Sequence, residues 1–147
     1  MILNDVPATA KVWLYQSDRA FTSAEKITIT QKLTDFINEW AAHGTKLKAS
    51  AELVGDFHVV LAVDESVYGA SGCSIDASVR FIKSLGEQFG IDFFNRMNFL
   101  VESTNGLKLV HFSELKNYPD AYFYQPLVHS LGDLRTNWRI KVLDRKF

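Results

Sequence analysis

The chain has 147 residues, 47% of them apolar and 22% charged, which fits one globular domain spanning 1–147 with a single sizeable core. A net charge of −1 gives no long-range field for a nucleic-acid backbone or an anionic membrane. No apolar run reaches the roughly 18 residues needed to span a bilayer, and the single Cys73 excludes an internal disulfide framework or a multi-cysteine zinc site.

The first residues, Met1-Ile2-Leu3-Asn4-Asp5, lack the basic and apolar regions of a secretory signal, so a reducing cytoplasm is the expected compartment. Lys11–Gln16 is short, apolar and aromatic, as strands are. Thr22 and Glu25 then have capping-box spacing, where each side chain accepts from the other's backbone N–H. Ile29, Leu33, Phe36, Ile37 and Trp40 follow at helical spacing, and Gly44 is the expected C-terminal cap. Leu47–Val54 and Phe57–Asp64 predict a hairpin closed by a two-residue turn at Gly55-Asp56. That register pairs Leu53 with His58 and Ala51 with Val60. One face then carries Ala49, Ala51, Val60 and Ala62, bracketed by His58 and Asp64. The other carries Val54, Phe57, Val59, Leu61 and Val63. Both faces are too apolar to lie open to water. The C-terminal segment or another copy of the chain must cover the second one.

A second helix follows the loop Glu65–Cys73, with Ser74 as its expected N-cap and Gly90 as its stop. Ile75, Val79, Ile82, Leu85 and Phe89 make its apolar stripe. Asn105-Gly106 between Met97–Thr104 and Leu107–Phe112 predicts another hairpin. Ser113–Asn117 reads as one helical turn, residues 118–136 as an irregular aromatic stretch, and Trp138, Ile140 and Val142 as a last strand. The fold class is therefore α+β. A two-layer sandwich is expected: a mainly antiparallel sheet with two helices on one face, in a ferredoxin-like β-α-β-β-α-β core with a C-terminal β extension.

The stretches WLYQSDRAFT, HVVLAVDES and SGCSIDASVRFIKSLG resemble a family of short, uncharacterised bacterial proteins often called ABC transporter ATPases. The resemblance brings no activity with it, and the residues argue against ATP hydrolysis. Val60–Glu65 has the form of a Walker B strand, and Gly69–Ser74 lies between a strand and a helix as a phosphate loop does. A P-loop needs lysine to neutralise the terminal phosphates, and Cys73 stands in its place. The first glycine of the pattern falls on Val67, and the two motifs come in reversed order.

Candidate site residues remain. Gly69, Ser71, Gly72 and Ser74 could offer backbone N–H groups and a helix N-terminus to a small anionic ligand. Cys73 at the same helix start is the candidate nucleophile, although no histidine is tied to it by spacing. His58 and Asp64 bracket the small-residue face. Together with Asp76 they are a metal set on paper only, without ligand spacing, so no metal or cofactor is expected. The last fifteen residues hold Arg135, Arg139, Lys141, Arg145 and Lys146 against Asp133 and Asp144, the charging of a guarded strand edge or of a patch for RNA. The preferred expectation is a non-enzymatic binding or interaction module, homodimeric or bound to a protein partner. The alternative is a small hydrolase or transferase using Cys73 and the Gly69–Ser74 loop.

Overall fold

Residues 1–147 are described by a computed structural model, and the fold is mixed α+β with antiparallel sheets. Strand β1 (Lys11–Gln16) leads to helix α1 (Ser23–Glu39). Thr22 caps that helix through the expected box with Glu25. Arg19 holds the Glu25 carboxylate at 2.7 Å and also donates to the Phe89 carbonyl at 2.6 Å, tying the start of α1 to the next helix. The helix ends at Trp40 rather than at Gly44. Gly44 instead turns a two-rung hairpin, β2 (Ala41–Ala42) and β3 (Thr45–Lys46). His43 and Gly44 both have positive φ, +50° and +77°. That is the backbone of a type I′ turn, which matches strand twist.

The long hairpin, β4 (Ala49–Val54) and β5 (His58–Val63), forms one residue out of the expected register. Val54 pairs with His58 and Ala51 with Leu61, so the loop is three residues, Gly55-Asp56-Phe57. The connection after β1 fixes this loop. Ser17 N–H donates to the Phe57 carbonyl at 2.7 Å and Phe21 N–H to the Asp56 carbonyl at 2.8 Å, and Lys26 forms an ion pair with Asp56. A one-residue slip moves every β4 side chain to the opposite face. Ala49, Ala51 and Leu53 therefore join Val59, Leu61 and Val63 under the helices, while Ser50, Glu52 and Val54 join His58, Val60 and Ala62. The small-residue face of Ala49, Ala51 and Ala62 does not exist.

The first sheet has the order β1-β5-β4, with both neighbours antiparallel to β5. The strand order does not confirm a ferredoxin-like core. In a split βαβ unit the first and third strands run parallel, side by side; here Lys11 pairs with Val63 and Gln16 with His58, head to tail. The fourth strand also leaves this sheet. β6 (Asn98–Ser103) and β7 (Gly106–His111) join β8 (Tyr122–Tyr124) and β9 (Arg139–Lys141) in a second antiparallel sheet of order β7-β6-β8-β9. Its hairpin turns on Thr104-Asn105, with Ser103 opposite Gly106.

Helices α1 and α2 (Gly72–Phe89) share one face of the first sheet, where Ile29, Leu33, Ile82 and Leu85 pack on Val59, Leu61 and Val63. Phe36 of α1 stacks on Phe81 of α2 at 4.3 Å. The inward line of α2 runs through Ser74, Ser78, Ile82, Leu85 and Gly86, so it sits one step round from the expected stripe. The opposite sheet face is covered by the chain itself. Val128, Leu131, Leu134 and Trp138 pack on Val60 and Ala62, helped by Ile2, Leu3 and Val6 from the N-terminus. Leu131 and Leu134 come from α3 (Leu131–Asn137), a helix inside the stretch read as irregular. Arg135 of α3 bonds the carbonyls of Ile2, Leu3 and Val6 and so holds the N-terminal segment against that face. The molecule has layers on both sides of the first sheet, not the two-layer sandwich expected.

Candidate functional site

β1 is an edge strand. In an antiparallel ladder the N–H and C=O of successive residues point alternately toward and away from the neighbour. Ser17 N–H bonds the Phe57 carbonyl across the ladder, so Tyr15, Trp13 and Lys11 also face β5. Val12, Leu14 and Gln16 face outward. Val12 N–H is taken by the His129 carbonyl at 3.0 Å. Leu14 and Gln16 have no strand beside them.

Their outward edge opens into a cleft of about 400 Å³, walled by β1, the segment 93–99 and the segment 124–129. Ten of its 17 lining residues are apolar, the pattern of a ligand recess with a few polar groups. His58 lies in the wall, only 3% exposed. Its ring meets Trp138 edge-on at 4.7 Å and Tyr124 at 5.5 Å. Burial alone pushes its pKa down to about 3, so the imidazole is neutral at physiological pH. Behind it, the Trp138 indole N–H is buried without a hydrogen-bond partner. Tyr15 turns its ring against Phe94 at 5.7 Å. Burial pushes the Tyr15 hydroxyl above its ordinary range, opposed first by Ser78 and then by the Arg96 charge. Arg96 is exposed and takes no part in any ion pair of the chain. No aspartate or glutamate lines the cleft. Sequence reasoning singled out His58 and missed the rest, because the walls come from segments separated by tens of residues and share no spacing.

The glycine loop is built differently from the expectation. Ser71, not Ser74, is the N-cap of α2, in a reciprocal pair with Ser74. Ser71 N–H donates to Ser74 Oγ at 2.7 Å, and Ser74 N–H to Ser71 Oγ at 3.2 Å. Ala70 N–H donates to the Glu65 carboxylate at 2.8 Å, which also lies against Gly69. The chain's own carboxylate therefore sits on this loop, leaving the amides of Gly72 and Cys73 in the first turn. Asp64 accepts from Ser66 N–H at 3.1 Å and pairs with Lys48 at 3.4 Å. The Ser66 bond holds its carboxyl below the usual carboxylate range. Asp64 and His58 lie at opposite ends of β5, about 20 Å apart at the rise of a strand. His58, Asp64 and Asp76 do not come together, and no three His, Cys, Asp or Glu side chains are grouped to hold a metal.

Cys73 is exposed. Iodoacetamide is expected to modify it in the native protein about as fast as in the urea-unfolded chain, followed by intact mass. A native rate far above the unfolded one marks an activated thiolate and favours the enzyme alternative.

The basic C-terminal residues are largely engaged. Arg135 is committed to the N-terminal carbonyls, Arg139 to Glu102 and the Tyr122 ring, and Arg145 to the Val142 carbonyl. No helix is long and apolar enough to cross a membrane. No family model, curated protein or solved structure matches the chain.

Proposed function

We propose that the chain is a non-enzymatic binding module whose ligand lies in the cleft beside β1. One observation carries this reading: a mostly apolar recess gathers polar groups with no partner inside the chain. They are the outward backbone of Leu14 and Gln16, the buried neutral His58 and the unpaired Arg96. None is a nucleophile set beside a base, so the recess suits holding a ligand more than transforming one. The ligand has an apolar body and a negative group to meet Arg96. Hydrolysis of ATP has no support, because Cys73 stands where a phosphate loop needs lysine and β5 has antiparallel neighbours on both sides. The apolar face that suggested a homodimer is covered by the chain's own α3 and N-terminus, so the reading rests on the cleft and not on a second copy. A reducing cytoplasm suits the one unpaired cysteine.

The test is thermal unfolding with a panel of apolar carboxylates, including N-acetyl-leucine, 4-phenylbutyrate and octanoate. A compound present at about ten times its Kd adds roughly 1.4 kcal/mol, or about 4 °C in Tm for a chain of this size. Amide shifts confined to residues 12–16, 93–99 and 124–129 place it in the cleft. If no panel member raises Tm or moves those amides, the reading fails.

A further inference from the structure

We infer that the occupant of this cleft is the free C-terminal end of an extended peptide from a partner protein, added as a short strand to the edge of β1. The inference rests on the binding reading above and adds the chemistry of the ligand.

Hydrogen-bond complementarity is the first support. Leu14 and Gln16 turn a row of main-chain donors and acceptors into the cleft, and an unpaired edge is a template for a further strand. The lining around them is apolar, which suits side chains that alternate on either side of an added strand.

The second support is that the edge is short and closed at both ends. At its start the segment around His129 and Ser130 already pairs with β1, through the Val12 N–H bond and a bridge to Lys11. At its finish the Gln16 side chain reaches across to the Asn98 carbonyl at 2.9 Å. The free stretch between Val12 and Gln16 is about 13 Å long at the rise of a strand. A long strand cannot run along it from end to end, so the added segment is limited to about three or four residues.

Charge supplies the third support and chooses the end. Arg96 is the only full charge in the cleft walls, in a chain whose net charge is −1. It lies two residues before Asn98, whose carbonyl meets the Gln16 side chain, and so at the Gln16 end of the edge, and no carboxylate of the chain neutralises it. A peptide's terminal carboxylate meets it there, while an N-terminal ammonium is repelled.

The experiment titrates the full-length, ¹⁵N-labelled protein with a pool of acetylated tripeptides built from Val, Leu, Phe and Tyr. One pool has free carboxylates and one has C-terminal amides. The free-acid pool is expected to move the Leu14 and Gln16 amide resonances downfield and slow their exchange. The amide pool is expected to bind at least about tenfold more weakly, as befits loss of a charge-assisted bond. Arg96→Gln is expected to erase that preference. Gln16→Pro removes an outward N–H without touching the β5 ladder, and is expected to bind about tenfold more weakly than Gln16→Ala, which loses the same side chain but keeps that N–H. The inference is overturned if the Leu14 amide does not respond, if the amide pool binds equally, or if Gln16→Ala is as damaging as Gln16→Pro. If N-acetyl-leucine matches the tripeptides in affinity and shifts, the cleft binds carboxylates without pairing; this inference falls and the binding reading stands. If neither pool nor small carboxylates reach the cleft, both fall. The comparison of the two pools on the unaltered protein decides the matter even if Gln16→Pro does not fold.

Discussion

Stability toward urea is expected to fall by about 2 kcal/mol between roughly pH 7.5 and pH 5, and His58→Leu is expected to lose most of that fall. The cause is the buried imidazole. Its pKa in the folded chain is about 3, against 6.5 for an unperturbed histidine, and burial is the sole reason. The sign follows from which state takes up the proton. Above 6.5 both states are neutral at this residue and its full contribution is present. As pH falls below 6.5 the unfolded chain binds a proton that the folded chain refuses, so unfolding becomes easier. The loss continues toward pH 3 and reaches on the order of 4 kcal/mol. Glu25 titrates in a different window. The Arg19 hydrogen bond, followed by the Thr22 backbone bond, lowers it to about 2, so its contribution is present above 4.5 and lost as pH falls toward 2. The interval from 6.5 to 5 therefore reports on the histidine. Urea midpoints of the two proteins across this interval are the measurement. Parallel curves would show that His58 is not held neutral.

Gly86→Ala is expected to destabilise the protein by about 3 kcal/mol, lowering Tm by roughly 6–12 °C. This reverses the ordinary rule, since alanine is normally better than glycine in a helix by about 1 kcal/mol. Gly86 lies on the buried line of α2. A Cβ there would stand 2.4 Å from the Ile91 carbonyl oxygen and 3.6 Å from the Phe93 ring. The oxygen belongs to backbone and cannot swing aside. Ile91 N–H and the Gly90 cap N–H both bond the Gly86 carbonyl, so this turn is folded tightly onto the helix end. Gly72→Ala is the matched control, being in the same helix with nothing within 4 Å of the added carbon. It is expected to be neutral or slightly stabilising. Equal melting temperatures for the two variants would sink the close-approach account. Because Phe93 and Phe94 also wall the cleft, Gly86→Ala is expected to disturb ligand binding as well.

Both predictions concern groups whose importance is invisible in the linear chain. Nothing in the residues around His58 says that Trp138, eighty positions later, closes over it. Glycine at position 86 reads as a weak point in a helix until the returning segment is placed beside it.

The elements that were legible are those decided by neighbours in sequence. β1 runs over the expected Lys11–Gln16, the Thr22–Glu25 box starts α1, Gly90 stops α2, and the 3-10 turn at Phe112–Asn117 matches the single helical turn expected there. Strand β8 and helix α3 were missed because three and seven residues carry too little local signal, and elements this short owe their stability to packing. One signal was present: Ser130 accepts from Asp133 N–H at 3.1 Å, a capping spacing readable before the structure.

By itself, then, the sequence determined the α+β class, the main helices, the existence of the two long hairpins but not of the short β2–β3 one, and the lack of a phosphate-binding lysine. Each depends on spacing within a few residues. Tertiary structure alone decided the β4–β5 register, the antiparallel β1–β5 pairing, the division into two sheets, the cover over the second sheet face and the cleft. Each depends on contacts between distant segments. Ser17 and Phe21 set the Gly55–Phe57 loop from outside it, and that single residue of slip decides which β4 side chains meet α1 and α2. Main-chain pairing is also indifferent to side-chain identity, so the residues of β1 could not announce which strand would lie beside them or that one edge would stay open.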